Sequence, residues 1–128
     1  MELQEMINRI DEFIAQNSFL VSDTEIDEML NLWNKCFDKA NNMQENSNIL
    51  EMKYENDRWG KWLLMKAEKN ADGKNKYTDK TLEFELDILY SKDIEKFIKD
   101  KYMFKIIPNK LKVLEHKINR VKKIKWGN

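Results

Sequence analysis

Residues 101–128 read KYMFKIIPNKLKVLEHKINRVKKIKWGN, and apolar side chains recur along them in alternating steps of three and four. Because 3.6 residues make one helical turn, this spacing predicts a helix with a single apolar seam. The apolar positions are Phe104, Ile107, Leu111, Leu114, Ile118 and Val121. The same stretch carries nine Lys and Arg residues against one acid, Glu115. It therefore predicts a helix with an apolar face that needs a partner and a strongly basic remainder.

Pro108 lies inside this stretch. Proline has no backbone N–H, and its ring clashes with the preceding helical turn. We therefore predict that one helix kinks or ends near Ile106 and that a basic C-terminal helix occupies residues 108–126. Long helices in a chain of this length close a compact core with difficulty, so we predict an oligomer interface on the seam. Its residues are Leu111, Leu114, Ile118 and Val121. Ordinary packing in the chain's own core is the alternative.

Outward from this stretch, the composition is that of a helical protein. Three Gly and one Pro in 128 residues are far below the ordinary usage of about 7% and 5%. Apolar periodicity predicts helices from Glu2 to about Gln16, over residues 26–40, and from Ile49 to about Asn70. Residues 41–48 hold poor helix formers, which fit a loop or a soft patch in one long helix equally well. We expect one all-α domain over residues 1–128, an elongated bundle or hairpin of about four to five helices.

Residues 81–88, TLEFELDI, are the ambiguous segment. Their strict polar and apolar alternation is typical of a half-buried strand. The same residues also fit a helical stripe, and Glu, Leu and Asp are not typical strand residues. We predict a helix, with an α+β fold containing a short strand near 81–90 as the alternative.

Charge is segregated along the chain, although the total is zero. Residues 1–60 hold 5 basic and 13 acidic side chains, whereas residues 101–128 hold 9 basic and 1 acidic. Such polarity favours either a nucleic-acid face at one pole or contact between subunits. An ordinary solvated helix face is the alternative.

No catalytic or metal-binding arrangement is recognisable in the sequence. Cys36 and His116 are the only residues of their kinds, which excludes a common zinc site. Cys36 lies beside an apolar stripe and is expected to be a small buried thiol, whereas His116 is expected to be a surface residue. No apolar run approaches the roughly 18 residues of a membrane span. We expect a non-enzymatic cytoplasmic protein with no cofactor, no metal and no membrane contact.

Cations interleaved with aromatic side chains form the candidate nucleic-acid interface. Lys and Arg neutralise phosphates, and single-stranded bases stack on aromatic rings. Trp59 is interpreted first as a core or subunit-interface residue, whereas Trp126 is harder to bury. The candidates are Lys61, Lys66, Lys74, Lys76, Lys117, Arg120, Lys122, Lys123, Lys125 and Trp126.

Three short segments carry a family resemblance: residues 32–35, LWNK; residues 64–68, LMKAE, ahead of the turn at 72–74; and residues 118–122, INRVK. With the order of acidic and basic helices, they resemble the UvsY-like recombination mediators of tailed phages. The resemblance implies a ring-forming oligomer in the host cytoplasm that binds single-stranded DNA, helps displace single-strand-binding protein and loads a recombinase.

That family carries a DNA-binding basic pair before the Gly turn. Lys66 matches one member, but Glu68 occupies the other position, which would shift binding toward Lys61, Lys69, Lys74 and Lys76 or the C-terminal helix. The alternative function is a small phage-type inhibitor that binds a host enzyme through the acidic residues 1–60.

Overall fold

The computed structural model describes residues 1–16 and 21–127, and within them it contains four α-helices. Helix α1 spans Leu3–Ala15, α2 spans Asp23–Lys66, α3 spans Asp79–Leu89 and α4 spans Ser91–Trp126. The only β-pairing in these residues is an isolated bridge between Lys69 and Asn75. The prediction of an all-α fold is confirmed, and so is the choice of a helix for residues 81–88.

Two compact units make up the chain. The terminal unit consists of Met1–Gln44 and Tyr102–Asn128, and the middle unit consists of Glu45–Lys101. Helix α1, residues 23–44 of α2 and residues 102–126 of α4 therefore belong to the terminal unit. Residues 45–66 of α2, all of α3 and residues 91–101 of α4 belong to the middle unit.

The core of the terminal unit is built from three amphipathic helices. The apolar seam of α4 is buried here, where α1 contributes residues such as Ile10 and Phe13 and α2 contributes residues such as Ile26 and Met29. The seam residues Leu111, Leu114, Ile118 and Val121 are each at most 5% exposed. They are therefore not available as an interface between copies, which corrects the prediction made from their spacing. Each contributes about 1.5–3 kcal/mol by burial within the chain itself.

One expected break in the helices is absent, and one ambiguous segment proves to be helical. Helix α4 runs through Pro108, so the prediction of a separate helix over residues 108–126 is wrong. Proline inside a helix costs about 3 kcal/mol, and burial of Ile107 and Leu111 on either side offsets that cost. Helix α2 likewise continues through residues 41–48, where the buried Ser47 hydroxyl donates to the Asp100 carboxylate at 3.1 Å. Residues 41–48 are thus a soft patch in one long helix.

The middle unit has a much smaller core. Leu82, Leu86 and Tyr90 form its buried cluster, against which Tyr54 and Trp62 of α2 pack. Thr78 caps the start of helix α3, because its hydroxyl accepts a hydrogen bond from the Thr81 N–H at 3.2 Å. A side chain at this capping position typically stabilises a helix by about 1 kcal/mol.

The turn between α2 and α3 closes around Gly73, which has a φ of 81°. The Asn70 N–H donates to the Lys74 carbonyl at 2.7 Å, and the Lys76 N–H donates to the Glu68 carbonyl at 3.1 Å. Glycine adopts a positive φ readily, which allows the chain to turn at this position. The turn at Asp72-Gly73 that the sequence indicates is therefore confirmed. Helix α2 ends at Lys66, four residues earlier than its sequence pattern indicates.

Candidate nucleic-acid interface

Lys117 is the first of the predicted phosphate contacts to be reassigned. Its side chain is buried, and its Nζ donates to the carbonyl oxygens of Phe13 and Gln16 at the end of α1. The last carbonyls of a helix lack partners within the helix and carry partial negative charge. Burial lowers the pKa of Lys117 below its ordinary value. Lys117 is therefore a structural cap of α1, and the prediction that it contacts phosphate is corrected.

Lys125 is also largely occupied within the terminal unit. Its Nζ donates to the Val21 carbonyl at 2.8 Å and lies 3.4 Å from the Asp23 carboxylate. Lys110, on the same helix, pairs with Asp11 of α1. A phosphate at either lysine would have to compete with an internal carboxylate. The ordered contacts of Lys125 make it a weaker candidate than its place in the sequence indicates.

Folding also cancels most of the charge segregation seen in the sequence. Residues 1–44 hold 3 basic and 9 acidic side chains, net −6, and residues 102–128 hold 8 basic and 1 acidic, net +7. Both segments belong to the terminal unit, whose net charge is therefore +1. The local charge of particular helix faces, rather than the polarity of the chain, determines where an anion could bind.

One face of α4 keeps its cations outward. Lys105, Lys112 and Lys123 lie seven and eleven residues apart, close to whole numbers of turns, and all three are exposed. We call these three residues the cationic stripe. At 1.5 Å per residue it extends for about 27 Å along the helix. In the described part of the chain, none of the three has a hydrogen-bond or ion-pair partner.

Other predicted residues border the cationic stripe. Arg120 is exposed beside it, Lys122 is half-buried on its flank, and Trp126 keeps 48% of its surface exposed near Lys123. His116 is exposed on the same face, as expected from the sequence. Lys105 and Lys112 are not among the candidates that the sequence suggests, because those candidates lie where cations are close together along the chain. Their spacing of seven residues was the signal that could have found them.

An aromatic groove borders the stripe at Lys112. It encloses about 230 Å³, and its wall includes Trp33 and Phe37, whose rings stack with centroids 5.2 Å apart. The Trp33 Nε1–H donates to the Leu111 carbonyl at 3.0 Å, which fixes the orientation of the indole. Phe37 remains partly exposed at the rim. A planar apolar group held near Lys112 could therefore stack against Phe37.

The predicted lysines of the middle unit are divided between paired and unpaired positions. Lys66 pairs with Asp79 and lies over the Trp62 ring at 5.6 Å. The Lys76 Nζ lies 3.3 Å from the Glu68 Oε2. The hydrogen bond between these two side chains is the main cause that raises the pKa of Lys76. Glu68, the departure from the UvsY-like pattern, thus pairs with one of the predicted DNA contacts. Lys61 and Lys74 are exposed.

Trp59 is not a core residue. It is 59% exposed, and its ring stacks on Trp62 with centroids 5.4 Å apart and planes 9° from parallel. The interpretation of Trp59 as part of the chain's own core is therefore wrong. Its interpretation as a subunit-interface residue stays a prediction.

Groups suited to other chemistry are few in the described residues. Cys36 is fully buried, which confirms the expectation, and desolvation raises the pKa of its thiol. Across residues 1–16 and 21–127, no three His, Cys, Asp or Glu side chains come together in a way that could hold a metal ion. Among the helices described, none combines the length and the apolar character required to cross a membrane.

Comparison with known proteins adds no relative to this description. No family model, no curated protein and no solved structure matches the chain.

Proposed function

We propose that this chain is a non-enzymatic accessory factor that binds single-stranded nucleic acid on the cationic stripe of α4. The observation that carries the proposal is the exposure of Lys105, Lys112 and Lys123 on one helix face without intramolecular partners among the described residues. Three ammonium groups over about 27 Å present positive charge along a line, as a nucleic-acid backbone requires.

The aromatic groups beside the stripe favour a single strand over a duplex. Phe37 borders the stripe at Lys112, and Trp126 lies three residues beyond Lys123. Each base that stacks on an aromatic side chain contributes about 1–3 kcal/mol, but the bases of a duplex are already stacked on one another. A single strand can satisfy both the cations and the rings, whereas a duplex offers only its phosphates.

The finer proposal is a recombination mediator that binds single-stranded DNA and helps load a recombinase or displace single-strand-binding protein. Its support is the resemblance of residues 32–35, 64–68 and 118–122 to UvsY-like proteins. The pairing of Lys66 with Asp79 and of Lys76 with Glu68 favours α4, rather than the region before the Gly turn, as the main DNA contact.

A protein-docking surface on residues 1–60 has less support. Several of its carboxylates are engaged with cations of the same unit: Glu12 and Glu28 with Arg9, Asp11 with Lys110, and Asp23 with Lys125. Imitation of nucleic acid requires carboxylates that remain available to a partner's cations.

The test is a charge reversal, Lys112→Glu with Lys123→Glu, measured by fluorescence anisotropy with a labelled single-stranded oligonucleotide. Affinity should fall about tenfold or more, and the slope of log affinity against log salt should fall by about 1.4, since each phosphate contact on a single strand contributes about 0.7.

The matched control is Lys92→Glu with Lys96→Glu, two exposed lysines of α4 in the middle unit. This pair changes the net charge by the same amount but lies outside the cationic stripe. The affinity of this variant for the oligonucleotide should therefore remain within about twofold of the original. Equal losses in both variants, or no loss in the stripe variant, would contradict the proposed interface. Circular dichroism should show unchanged helix content in both.

A further inference from the structure

The middle unit leaves one apolar face of α2 uncovered. Ile49, Met52, Trp59 and Leu63 are 52%, 64%, 59% and 48% exposed, respectively. The opposite face of the same helix holds Tyr54 and Met65, which pack against the small core around α3. The exposed row is therefore not a misplaced part of the unit's own core.

The exposed row has the spacing of a coiled-coil seam. Together with Asn56, its residues follow one another in steps of three, four, three and four along α2. This is the repeat at which apolar residues of one helix meet a facing helix, and a single Asn in such a seam commonly fixes register. We call Ile49, Met52, Asn56, Trp59 and Leu63 the exposed seam.

We propose that the exposed seam docks against the same seam of a second copy of this chain, with the two α2 helices antiparallel. The argument for this occupant is charge complementarity. Glu45 lies at one end of the row and Lys66 at the other. An antiparallel pair places Glu45 of one copy opposite Lys66 of the other at both ends, and Met52 opposite Trp59. The Lys66 ammonium already pairs with Asp79 of its own chain, but its three N–H donors allow it to bridge both carboxylates. A parallel pair would place like charges together at each end.

The area and net charge of the face agree with self-association. The four apolar side chains expose roughly 400 Å² together, which is within the range of the largest apolar patch on a soluble monomer, a patch that is often functional. Stable pairs bury about 800 Å² on each partner, so the seam and its flanks suit a reversible dimer rather than a permanent one. The middle unit holds 12 basic and 13 acidic side chains, net −1, so two copies do not repel strongly.

Nucleic acid is a poorer occupant of this face. No seam position between residues 49 and 63 carries a cation. The neighbouring Arg58 is engaged at 2.8 Å by both Glu83 and Asp87. A base stacked on Trp59 would therefore lack a readily available counter-charge for its phosphate.

The first test is sedimentation velocity of the full chain over roughly a hundredfold range of concentration. The original sequence should shift from monomer to dimer as concentration rises. Met52→Glu with Trp59→Glu should weaken self-association at least about tenfold. The control, Leu64→Glu with Phe84→Glu, changes two equally exposed apolar residues outside the seam and should leave the dimer unchanged. A monomer at every concentration, or equal loss in both variants, would overturn the proposal.

The second test fixes the orientation. Glu45→Lys and Lys66→Glu should each weaken the dimer, and the double exchange should restore it, because each antiparallel end again joins opposite charges. In a parallel dimer each of these residues would face its own copy, so each single change would only replace one like-charge pair with another and neither would weaken the dimer. If the original chain stays monomeric while Met52→Glu with Trp59→Glu abolishes oligonucleotide binding, the face is a base platform and the proposed dimer is wrong.

Discussion

The terminal unit and the middle unit differ in how they use their apolar residues. Among its described residues, the terminal unit buries sixteen apolar residues in one cluster, fifteen of them from α1, α2 and α4 and the last, Val21, from just before α2. The middle unit has a cluster of three, and ten of its large apolar side chains stay exposed. Helix formation alone therefore does not measure how well a region is packed. In the terminal unit the amphipathic faces pack against each other within the chain, whereas in the middle unit at least one apolar helix face stays exposed.

Truncation of one buried leucine in each unit should give the largest difference. Both Leu114 and Leu86 are fully buried. Leucine-to-alanine changes in cores cost about 2–5 kcal/mol, and the cost depends on how far the surroundings collapse into the cavity. We expect Leu114→Ala to lie toward the upper end of that range and Leu86→Ala toward the lower end, because the small cluster can relax. Urea unfolding followed by circular dichroism gives both values.

Val113→Ala, beside Leu114 but on the exposed side of α4, is the control for the terminal unit and should change stability by no more than about 0.5 kcal/mol. Equal costs for Leu86→Ala and Leu114→Ala would show that the two cores are equally well packed, which would remove the contrast between the units.

Arg58→Ala tests the polar contribution to the middle unit. The guanidinium is mostly buried and donates to Glu83 and Asp87 at 2.8 Å and to the Tyr54 hydroxyl at 3.3 Å. Hydrogen bonds to charged groups contribute about 1.5–3 kcal/mol when well formed, but the exposed carboxylates reduce that value here. We expect a loss of about 1–2 kcal/mol in urea unfolding.

Arg9→Ala is the matched change in the terminal unit, since Arg9 also bridges two carboxylates but is more exposed. It should cost less than about 1 kcal/mol. If Arg9→Ala proves the more damaging of the two, the middle unit does not depend on its ion pairs in the way proposed.

The smallest effect should come from the ionisation of Tyr90. Its hydroxyl donates to the Asp57 carboxylate, which raises the pKa of Tyr90 from 10.0 to about 12. The native state thus holds the phenolic proton longer than the unfolded state. This contribution to stability is fully present below about pH 10 and is lost as pH rises toward 12.

Ultraviolet titration should show a late phenolic transition in the original chain that the Tyr90→Phe variant lacks. Asp57→Asn should move that late transition back toward pH 10. A late transition that survives in Tyr90→Phe would assign it to another tyrosine.

The sequence predicted the helices well because their apolar periodicity is local. The apolar spacing indicated that the α4 seam is buried. It could not identify the residues that bury it, because they lie more than seventy positions away in the sequence. The rule that proline ends a helix failed at Pro108 because burial on both sides outweighs one lost hydrogen bond. Lys117 was mistaken for a phosphate contact because a count of cations does not reveal which one reaches a distant helix end.

The cap that Lys117 provides for α1 joins residues 101 and 104 positions apart in the sequence. The terminal unit as a whole is held together by such distant contacts, because its two segments are separated in the sequence by the entire middle unit. During synthesis, the apolar faces of α1 and the start of α2 can therefore cover each other only in part until residues 102–121 have left the ribosome. Early structure in the middle unit would shorten the flexible loop that must close and lower its entropic cost. The less well packed unit would then assist the folding of the better packed one.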